Sequence, residues 1–351
     1  MKLEDTKWNF FKVGDLFNIE KCKCSKAGDL DLGKIPYIGA TNRNNGIMSF
    51  SSNSKLTTKG NCIAFICDGQ GSVGYSIYKY ENFIGSTTLK SGRNEKLNKY
   101  NGLFFTTCLD MNKTIYDYGY KRNEPRLKSE TITLPSKIKN KPNYEFMEQY
   151  TKSIIDKKLN NYKKYAQTIL ETLQYKKIEN LQEKEWREFF LTDIFTDIQR
   201  GKRLTKADQK MGDKPYVSST ASTNGVDNFI SNKNGVRIFS NCISIANSGS
   251  VGASFYHPYD FVASDHITHL KNEELNEFVY LFIVTLTNRF SGKYNFNREI
   301  NDLRISREKI LLPINSEDTP DYAYMEQYII NMKYKKIKQY LDYLEKQKKD
   351  S

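Results

Sequence analysis

YEFMEQY at 144–150 returns almost unchanged as YAYMEQY at 322–328, 178 residues further along a chain of 351. The two tryptophans of the chain, Trp8 and Trp186, are separated by the same 178 residues. A repeat must be recognised first, because it decides how the rest of a sequence divides. The sequence therefore predicts a tandem duplication, with short insertions in loops. Other phrases recur in the same order at offsets of 178 to 180: PYI at 36–38 with PYV at 215–217, NCI at 61–63 with 241–243, GSVG at 71–74 with 249–252, and LP at 134–135 with 312–313.

The first part of each copy consists of short apolar runs separated by Gly, Asn, Ser and Asp. Runs such as those at 62–66, 131–134 and 243–246 are typical of β-strands between tight turns. One helix is expected near Leu275–Asn288. Each copy is therefore predicted to form a globule of the α+β class. The dipeptides typical of type I′ hairpin turns are Asn45-Gly46 and Asn224-Gly225.

The second part of each copy is predicted to be a long helix. Residues 144–183 contain no Gly or Pro, and apolar side chains recur there at alternating spacings of four and three. Forty helical residues would be about 60 Å long. The apolar seam consists of Ile155, Leu159, Tyr162, Ala166, Ile169 and Leu173 in the first copy, and of Ile330, Tyr334, Ile337, Leu341 and Leu344 in the second.

A helix of this length cannot bury its seam against a small globule, so the two helices are expected to pair as an antiparallel coiled coil. Such a pair would hold two globules at a fixed distance about a pseudo-twofold axis. Duplex DNA has the same pseudosymmetry, which suits the recognition of two half-sites. The predicted boundaries are 1–141 for the first globule, 142–183 for the first spacer helix, 184–319 for the second globule and 320–351 for the second spacer helix.

The charge balance favours a polyanionic partner. Lys and Arg number 54 against 41 Asp and Glu, a formal net charge of +13, and basic proteins bind phosphate backbones by displacing counterions. The alternative is an ordinary solvated lysine-rich surface. No apolar run reaches the ~18 residues of a membrane span, and no signal peptide is recognisable, so we expect a cytoplasmic protein with six free thiols. Cys22 and Cys24 lack further ligands to complete a zinc site, and no metal is predicted.

The order of globule, long helix, globule and long helix, each half opening with W…F…D-[LI]-F, resembles the specificity subunits of type I restriction–modification systems. PYVSST at 215–220, SGSVG at 248–252 and SDH at 264–266 are similar to the target recognition domain of that family. The resemblance covers essentially the whole chain. The recognition subunits of type IIB systems are built alike, so the sequence leaves the type of system open.

The resemblance implies a host-defence protein with two target recognition domains, each binding one half of a split, asymmetric site in double-stranded DNA. The spacer helices would set the gap between the halves and dock two methyltransferase (modification) subunits. One or more restriction subunits would complete the complex. S-adenosylmethionine, Mg²⁺ and ATP would belong to these partners, and this chain would need no cofactor of its own.

The sequence lacks the motifs of the enzymes that modify or cut DNA. It contains no Asp/Asn-Pro-Pro-Tyr/Phe tetrapeptide, no Glu-x-Lys and no P-loop. His266 and His269 correspond to Thr88 and Ser91 in the first copy, which favours a structural role for both histidines. We therefore expect a non-catalytic specificity subunit. The alternatives are a standalone DNA-binding regulator or antirestriction protein, and a nuclease or modifying enzyme with an unfamiliar site.

The candidate DNA contacts come from polar and basic residues in loops, since Arg, Asn, Gln and Lys read base edges and bind phosphates. For each set the alternative is structural, as a tight turn or a solvated surface. Positions that differ between the copies are expected to encode the two different half-sites. The candidates are Asn42, Arg43, Asn44, Ser218, Ser219, Thr223 and Asn224 in the turn loops; Asp68, Gln70, Ser72, Asn247, Ser248 and Ser250 around GSVG; and Lys121, Arg122, Arg126, Arg200, Lys202, Arg203, Arg298 and Arg304 in basic clusters.

The repeated heptapeptides stand at the starts of the helices, where a globule must meet its helix. They are interpreted as packing or methyltransferase-docking residues rather than DNA contacts. The residues concerned are Tyr144, Met147, Tyr150, Tyr322, Met325 and Tyr328.

Overall fold

The computed structural model describes residues 2–24, 26–138 and 141–349. It divides into two compact units, Met1–Tyr162 and Lys163–Ser351. The division falls inside a helix, so each unit contains one globule and helical residues. Among the described residues, no helix is long and apolar enough to cross a membrane.

The first unit has eleven strands and four helices among its described residues, with the last helix continuing past Tyr162. The strands are β1 (Trp8–Lys12), β2 (Asn18–Lys21), β3 (Leu32–Ile38), β4 (Ile47–Ser51), β5 (Thr57–Thr58), β6 (Cys62–Ile66), β7 (Ser76–Lys79), β8 (Phe83–Gly85), β9 (Leu89–Arg93), β10 (Thr131–Ile138) and β11 (Lys141–Pro142). The helices are α1 (Val13–Leu16), α2 (Lys99–Asp110), α3 (Glu124–Ser129) and α4 (Tyr144–Thr172).

The strands of the first unit form three sheets. One has the order β2-β9-β6-β7 and is antiparallel; a second has the order β4-β3-β8-β5, with β3 and β8 parallel; β1, β10 and β11 form the third. Strand β6 is buried along its whole length, which explains its continuous apolar run. Helix α2 covers this core, and Asn98 caps its N-terminus by accepting hydrogen bonds from the amides of Tyr100 and Asn101.

The second unit repeats this plan. Its strands are β12 (Trp186–Phe190), β13 (Asp197–Arg200), β14 (Met211–Val217), β15 (Val226–Ile230), β16 (Arg237–Phe239), β17 (Cys242–Ala246), β18 (Ser254–His257), β19 (Phe261–Ala263), β20 (Ile267–Lys271) and β21 (Lys309–Pro313). Its helices are α5 (Leu191–Ile194), α6 (Glu277–Thr287), α7 (Asp302–Ile305) and α8 (Tyr322–Lys349). The four-stranded sheets β13-β20-β17-β18 and β15-β14-β19-β16 match those of the first unit, and the third sheet, β12-β21, has two strands where the first unit has three.

The predicted elements inside the globules are confirmed. The apolar runs form β6, β10 and β17, and the helix expected near Leu275–Asn288 is α6. Each Asn-Gly phrase lies in a hairpin, between β3 and β4 and between β14 and β15. Both turns are left-handed, with positive φ at Asn44 and Asn45 and at Thr223 and Asn224. The loops that connect these strands are longer than two residues. In each loop the turn is closed by its own backbone hydrogen bond, beyond the ends of the strands.

The repeated heptapeptides attach each long helix to its globule. Met147 and Met325 are fully buried within the main core cluster of their own unit. Tyr144 accepts a 2.7 Å hydrogen bond from Asn94, and Tyr150 packs edge-on against Phe104. These residues therefore pack against their globules, and the docking of methyltransferase subunits at the heptapeptides stays a prediction.

The long helices carry the predicted seam, but the first is shorter than predicted. Along both helices the seam residues are buried or half-buried, with mainly exposed residues between them. Helix α4 ends at Thr172, whereas residues 142–183 were expected to be helical. The antiparallel pairing of the two helices stays a prediction.

Residues 173–183 are not helical because side chains of α8 bind their backbone. Asn331 accepts a hydrogen bond from the amide of Lys176 and donates one to its carbonyl, at 3.1 and 2.6 Å. Gln327 donates to the carbonyl of Gln174, and the hydroxyl of Tyr324 donates to that of Glu179. These tertiary hydrogen bonds replace the helical ones, which local sequence does not reveal.

The second unit contains a buried neutral histidine with no counterpart in the first. His257, at the end of β18, is fully buried, and its Nε2 lies 2.8 Å from the hydroxyl of Ser244. Burial lowers the pKa of His257 to about 4. Lys79 occupies the equivalent position in the first unit.

This burial predicts that acid destabilises the second unit. The unfolded imidazole has a pKa of about 6.5, so between pH 6.5 and 4 the unfolded chain binds more protons and stability falls as pH falls. The expected loss is about 3 kcal/mol from pH 7 to pH 4, measured by urea unfolding. His257→Gln should remove this component, whereas His266→Gln, at a half-exposed side chain, should retain it. Equal pH dependence in wild type and His257→Gln would contradict this assignment.

Candidate nucleic-acid interface

Three loops of the first unit come together beside its sheets. The loop at 39–46 contacts the loop at 67–73 so closely that a Cβ on Gly69 would lie 2.5 Å from the Cβ of Ala40. Gly69 also has a positive φ of 139°, so the glycine is required on both counts. Asp68 forms a 2.8 Å ion pair with Lys121, which connects the loop at 113–126.

Most candidates of the first unit therefore share one surface. Asn42, Arg43, Asn44 and Gln70 are exposed on the first two loops, and Lys121 is exposed on the third. Arg126 is half-buried there: its guanidinium stacks 3.7 Å from the ring centre of Tyr120 and donates to the carbonyl of Lys121. The surface thus presents amide and basic groups of the kind that bind bases and phosphates.

The second unit brings the equivalent loops together by different contacts. The amide of Ser250 donates to the carbonyl of Ser219, and a Cβ on Gly249 would lie 2.6 Å from the hydroxyl of Ser219. The side chain of Arg200 donates to the carbonyl of Asp265, which places the 200–203 segment beside 264–266. The candidates that are exposed or half-exposed in this unit are Ser218, Ser219, Thr223, Asn224, Ser250, Arg200, Lys202, Arg203, Arg298 and Arg304.

Four predicted DNA contacts are wrong, because their side chains are buried in the unit. Ser72, Asn247 and Ser248 lie inside the turns around the GSVG phrases. Asn247 accepts a hydrogen bond from Thr268 and binds the backbone of His266 and Ile300. These residues shape the turns and do not face solvent. The fourth residue, Arg122, is fully buried.

Arg122 neutralises a buried carboxylate that fixes the third loop. Its Nε and Nη2 donate to Glu130 at 2.8 and 2.9 Å, and its Nη1 donates to the carbonyl of Gly74. The hydroxyl of Tyr116 donates to the same carboxylate at 2.9 Å. Burial raises the pKa of Tyr116, so this phenol remains a donor at neutral pH.

The second unit also pairs a buried carboxylate with a cation, but the cation comes from a different position in the repeat. Glu308 corresponds to Glu130, and the hydroxyl of Tyr294, the counterpart of Tyr116, donates to it. The counterpart of Arg122 is Ile300, which is buried. Its missing charge is supplied by Lys293, whose Nζ lies 2.7 and 2.8 Å from the two carboxylate oxygens.

The loop before GSVG differs in length between the units. From the buried β6 to Gly71 there are four residues, Cys67, Asp68, Gly69 and Gln70, whereas between β17 and Gly249 there are only two. The extra residues include the charged Asp68, which contacts Lys121. The two units therefore differ in both the length and the charge of this loop.

The histidines of SDH and its strand have different environments. His269 is buried, stacks 3.7 Å from Phe239 and bonds to Asp197 and Gln199, which confirms its structural role. His266 is half-exposed among the candidate loops, with its Nδ1 bonded to the hydroxyl of Ser248. Its ring therefore adds a polar group to this surface.

Two exposed aromatic residues were missed by the sequence analysis. Tyr118 and Phe296 are 75% and 79% exposed in the loops that carry Lys121 and Arg298. They stand 178 residues apart. The sequence could have identified them, because they are aromatic residues at equivalent positions of the two copies and stand near basic residues.

Comparison with known proteins gives a consistent result. The family model described as "Type I restriction modification DNA specificity domain" matches twice, at residues 5–163 and 183–342. The "Type II restriction enzyme BgcI specificity subunit S.BcgI" of Heyndrickxia coagulans is 30% identical over 336 residues, which cover 94% of this chain and 96% of that protein.

A solved structure has the same fold. The crystal structure of the type-I restriction-modification system S subunit from M. genitalium aligns with a TM-score of 0.55 at 18% identity, over 99% of this chain and 94% of the other. At this identity the match shows the fold alone.

The exchange of cations between the units predicts a rescue experiment. Arg122→Ile leaves Glu130 buried without its cation and should lower the free energy of unfolding by about 3–5 kcal/mol in urea. Adding Ile115→Lys, at the position equivalent to Lys293, should restore much of this loss. Ile115→Lys alone should change stability little, because Ile115 is exposed. A double variant no more stable than Arg122→Ile would contradict the equivalence.

Proposed function

The chain belongs to the type I restriction modification DNA specificity domain family, which matches both of its halves, and from this premise we propose how its two units divide the recognition of DNA. The resemblance and the function predicted from sequence are confirmed: the protein is a specificity subunit of a restriction–modification system. In our proposal each unit binds one half of a split site.

This proposal rests on one observation: the two units share a topology, but their loops carry different side chains. Both units have the same strand orders in their two four-stranded sheets, and both gather their candidate loops by close glycine contacts. Yet the turn carries Asn42, Arg43 and Asn44 in the first unit and uncharged residues in the second. Because specificity is read at base edges, identical scaffolds with different side chains bind different sequences, and the complete site is asymmetric.

The long helices are proposed to set the gap between the half-sites. Helix α4 starts in the core of the first unit, where Met147 is buried, and its last residues belong to the second unit. A continuous helix of 29 residues is about 44 Å long. Its length would therefore fix how many base pairs separate the two contacts.

Catalysis is assigned to partner subunits in this proposal. Modification subunits would supply methylation with S-adenosylmethionine, and restriction activity with Mg²⁺ and ATP would lie in further subunits. The relative that is 30% identical is the specificity subunit of a type II enzyme. A type II complex is therefore the assembly to test beside a type I complex.

Selection from random duplex DNA tests the division of labour. The purified chain should enrich one bipartite sequence with two different halves at a constant gap. Asn42→Ala with Gln70→Ala should relax the base preference in one half only, by about tenfold. Lys157→Ala, at an exposed position of α4, is the matched control. Enrichment of a single uninterrupted site, or relaxation of both halves together, would refute the division.

Shortening the helix tests the spacer. Deletion of residues 155–161 removes one heptad, which keeps the seam in register and shortens the helix by about 10 Å. The same two half-sites should be selected with a gap about three base pairs shorter. The full-length variant Lys157→Ala/Lys158→Ala should keep the original gap. The spacer role is wrong if the deletion variant, still folded, also keeps it.

A further inference from the structure

The two exposed aromatics stand at the same place in each unit, on a closed four-residue turn. In the first unit the amide of Asp117 donates to the carbonyl of Tyr120, and the amide of Tyr120 donates to the carboxylate of Asp117 at 2.6 Å. In the second unit Asn295 and Arg298 exchange backbone hydrogen bonds. We call these turns, 117–120 and 295–298, the tip turns. Tyr118 and Phe296 are each the second residue of a tip turn.

The first flank of each tip turn is anchored in the core. Tyr116 and Tyr294 immediately precede the turns, are buried, and donate to Glu130 and Glu308. Burial raises the pKa of Tyr294 to about 12, so this hydrogen bond persists at neutral pH.

The tip turns belong to the candidate interface of their units. In the first unit the amide of Arg122 donates to the carbonyl of Cys67, beside Asp68. In the second the amide of Ile300 donates to the carbonyl of Asn247, the equivalent position. A cation lies next to each turn: Lys121 is 5.5 Å from the ring centre of Tyr118, and Arg298 is itself in the turn.

The residues around the two rings differ, although the rings are kept. Gly119, Tyr120 and Lys121 correspond to Asn297, Arg298 and Glu299. Residues that read different half-sites are expected to differ, so an aromatic retained among them does a task that is independent of sequence. Stacking on a base is such a task, because every base presents a π face.

We propose that Tyr118 and Phe296 are wedges that insert between adjacent base pairs, one in each half-site, and unstack that step. The proposal rests on the proposed function and adds a mode of binding to it. Apolar side chains act in this way in proteins that bind DNA through basic residues and kink it.

The test places 2-aminopurine, whose fluorescence is quenched by stacking, at successive positions of the bipartite sequence selected by the wild-type chain. Binding should raise emission several-fold at one step in each half. Tyr118→Ala should abolish the rise in one half and Phe296→Ala in the other, each with about tenfold weaker binding. Tyr118→Phe should retain both signals.

The matched control is Tyr80→Ala, because Tyr80 is 72% exposed in the same unit but lies at the end of β7. It should change neither emission nor affinity. Thermal unfolding of Tyr118→Ala and Phe296→Ala should match the wild type, since both rings are in solvent, which separates lost insertion from lost folding.

The outcomes distinguish the wedge from the proposed function. Selection of a bipartite sequence with emission quenched at every position overturns the wedge and leaves the specificity function intact. Weaker binding by the alanine variants without any emission change in the wild-type complex places the rings in a groove and also overturns insertion. Failure to select any sequence removes the proposed function, and the wedge with it.

Discussion

The burial of one methionine in each repeat is the constraint on which the rest of the architecture depends. Met147 and Met325 lie in the main cores of their units, so a long helix cannot leave its globule at any other point without emptying part of that core. Filling such a space is worth several kcal/mol. Packing therefore fixes where each helix starts. The distance that each helix spans is counted from this point.

The buried carboxylates Glu130 and Glu308 impose a second constraint, on the loops. A carboxylate without a partner is costly to bury, and each unit therefore keeps one cation beside it: Arg122 in the first and Lys293 in the second. The position of the cation has changed between the copies, while the charge pairing has not. This freedom lets one loop sequence diverge while its anchor, and hence the placement of the tip turn, is maintained.

One residue of the hairpin loop of the second unit has a strained backbone. Thr223 has a φ of 53°, a left-handed conformation that β-branched residues rarely adopt, whereas the first unit has Asn44 there. The hairpin geometry is thus kept with a residue poorly suited to it. Such outliers cluster at functional sites, and this turn carries candidate DNA contacts.

Much of the fold was predictable from sequence because its signals are local or repeated. The apolar runs of β6 and β17, the Asn-Gly turns and the seam of the long helices depend on periodicity over a few residues. The end of α4 was not predictable, since the backbone of 174–179 is bound by Tyr324, Gln327 and Asn331 from a segment about 150 residues away. Arg122 and Asn247 were misassigned for the same reason, as polarity alone does not show whether a partner buries a side chain.

The sequence by itself determined the duplication, the class of each element and the family. A repeated phrase and a hydrophobic period can be recognised without knowing which residues are in contact. Only the tertiary structure decided which polar residues face solvent. It also showed that the hairpin loop, the GSVG loop and the tip turn of each unit form one surface, and that Tyr118 and Phe296 stand out from it. These properties arise from contacts between residues far apart in the chain, such as Asp68 with Lys121 and Arg122 with Glu130 and Gly74, and no local pattern encodes them.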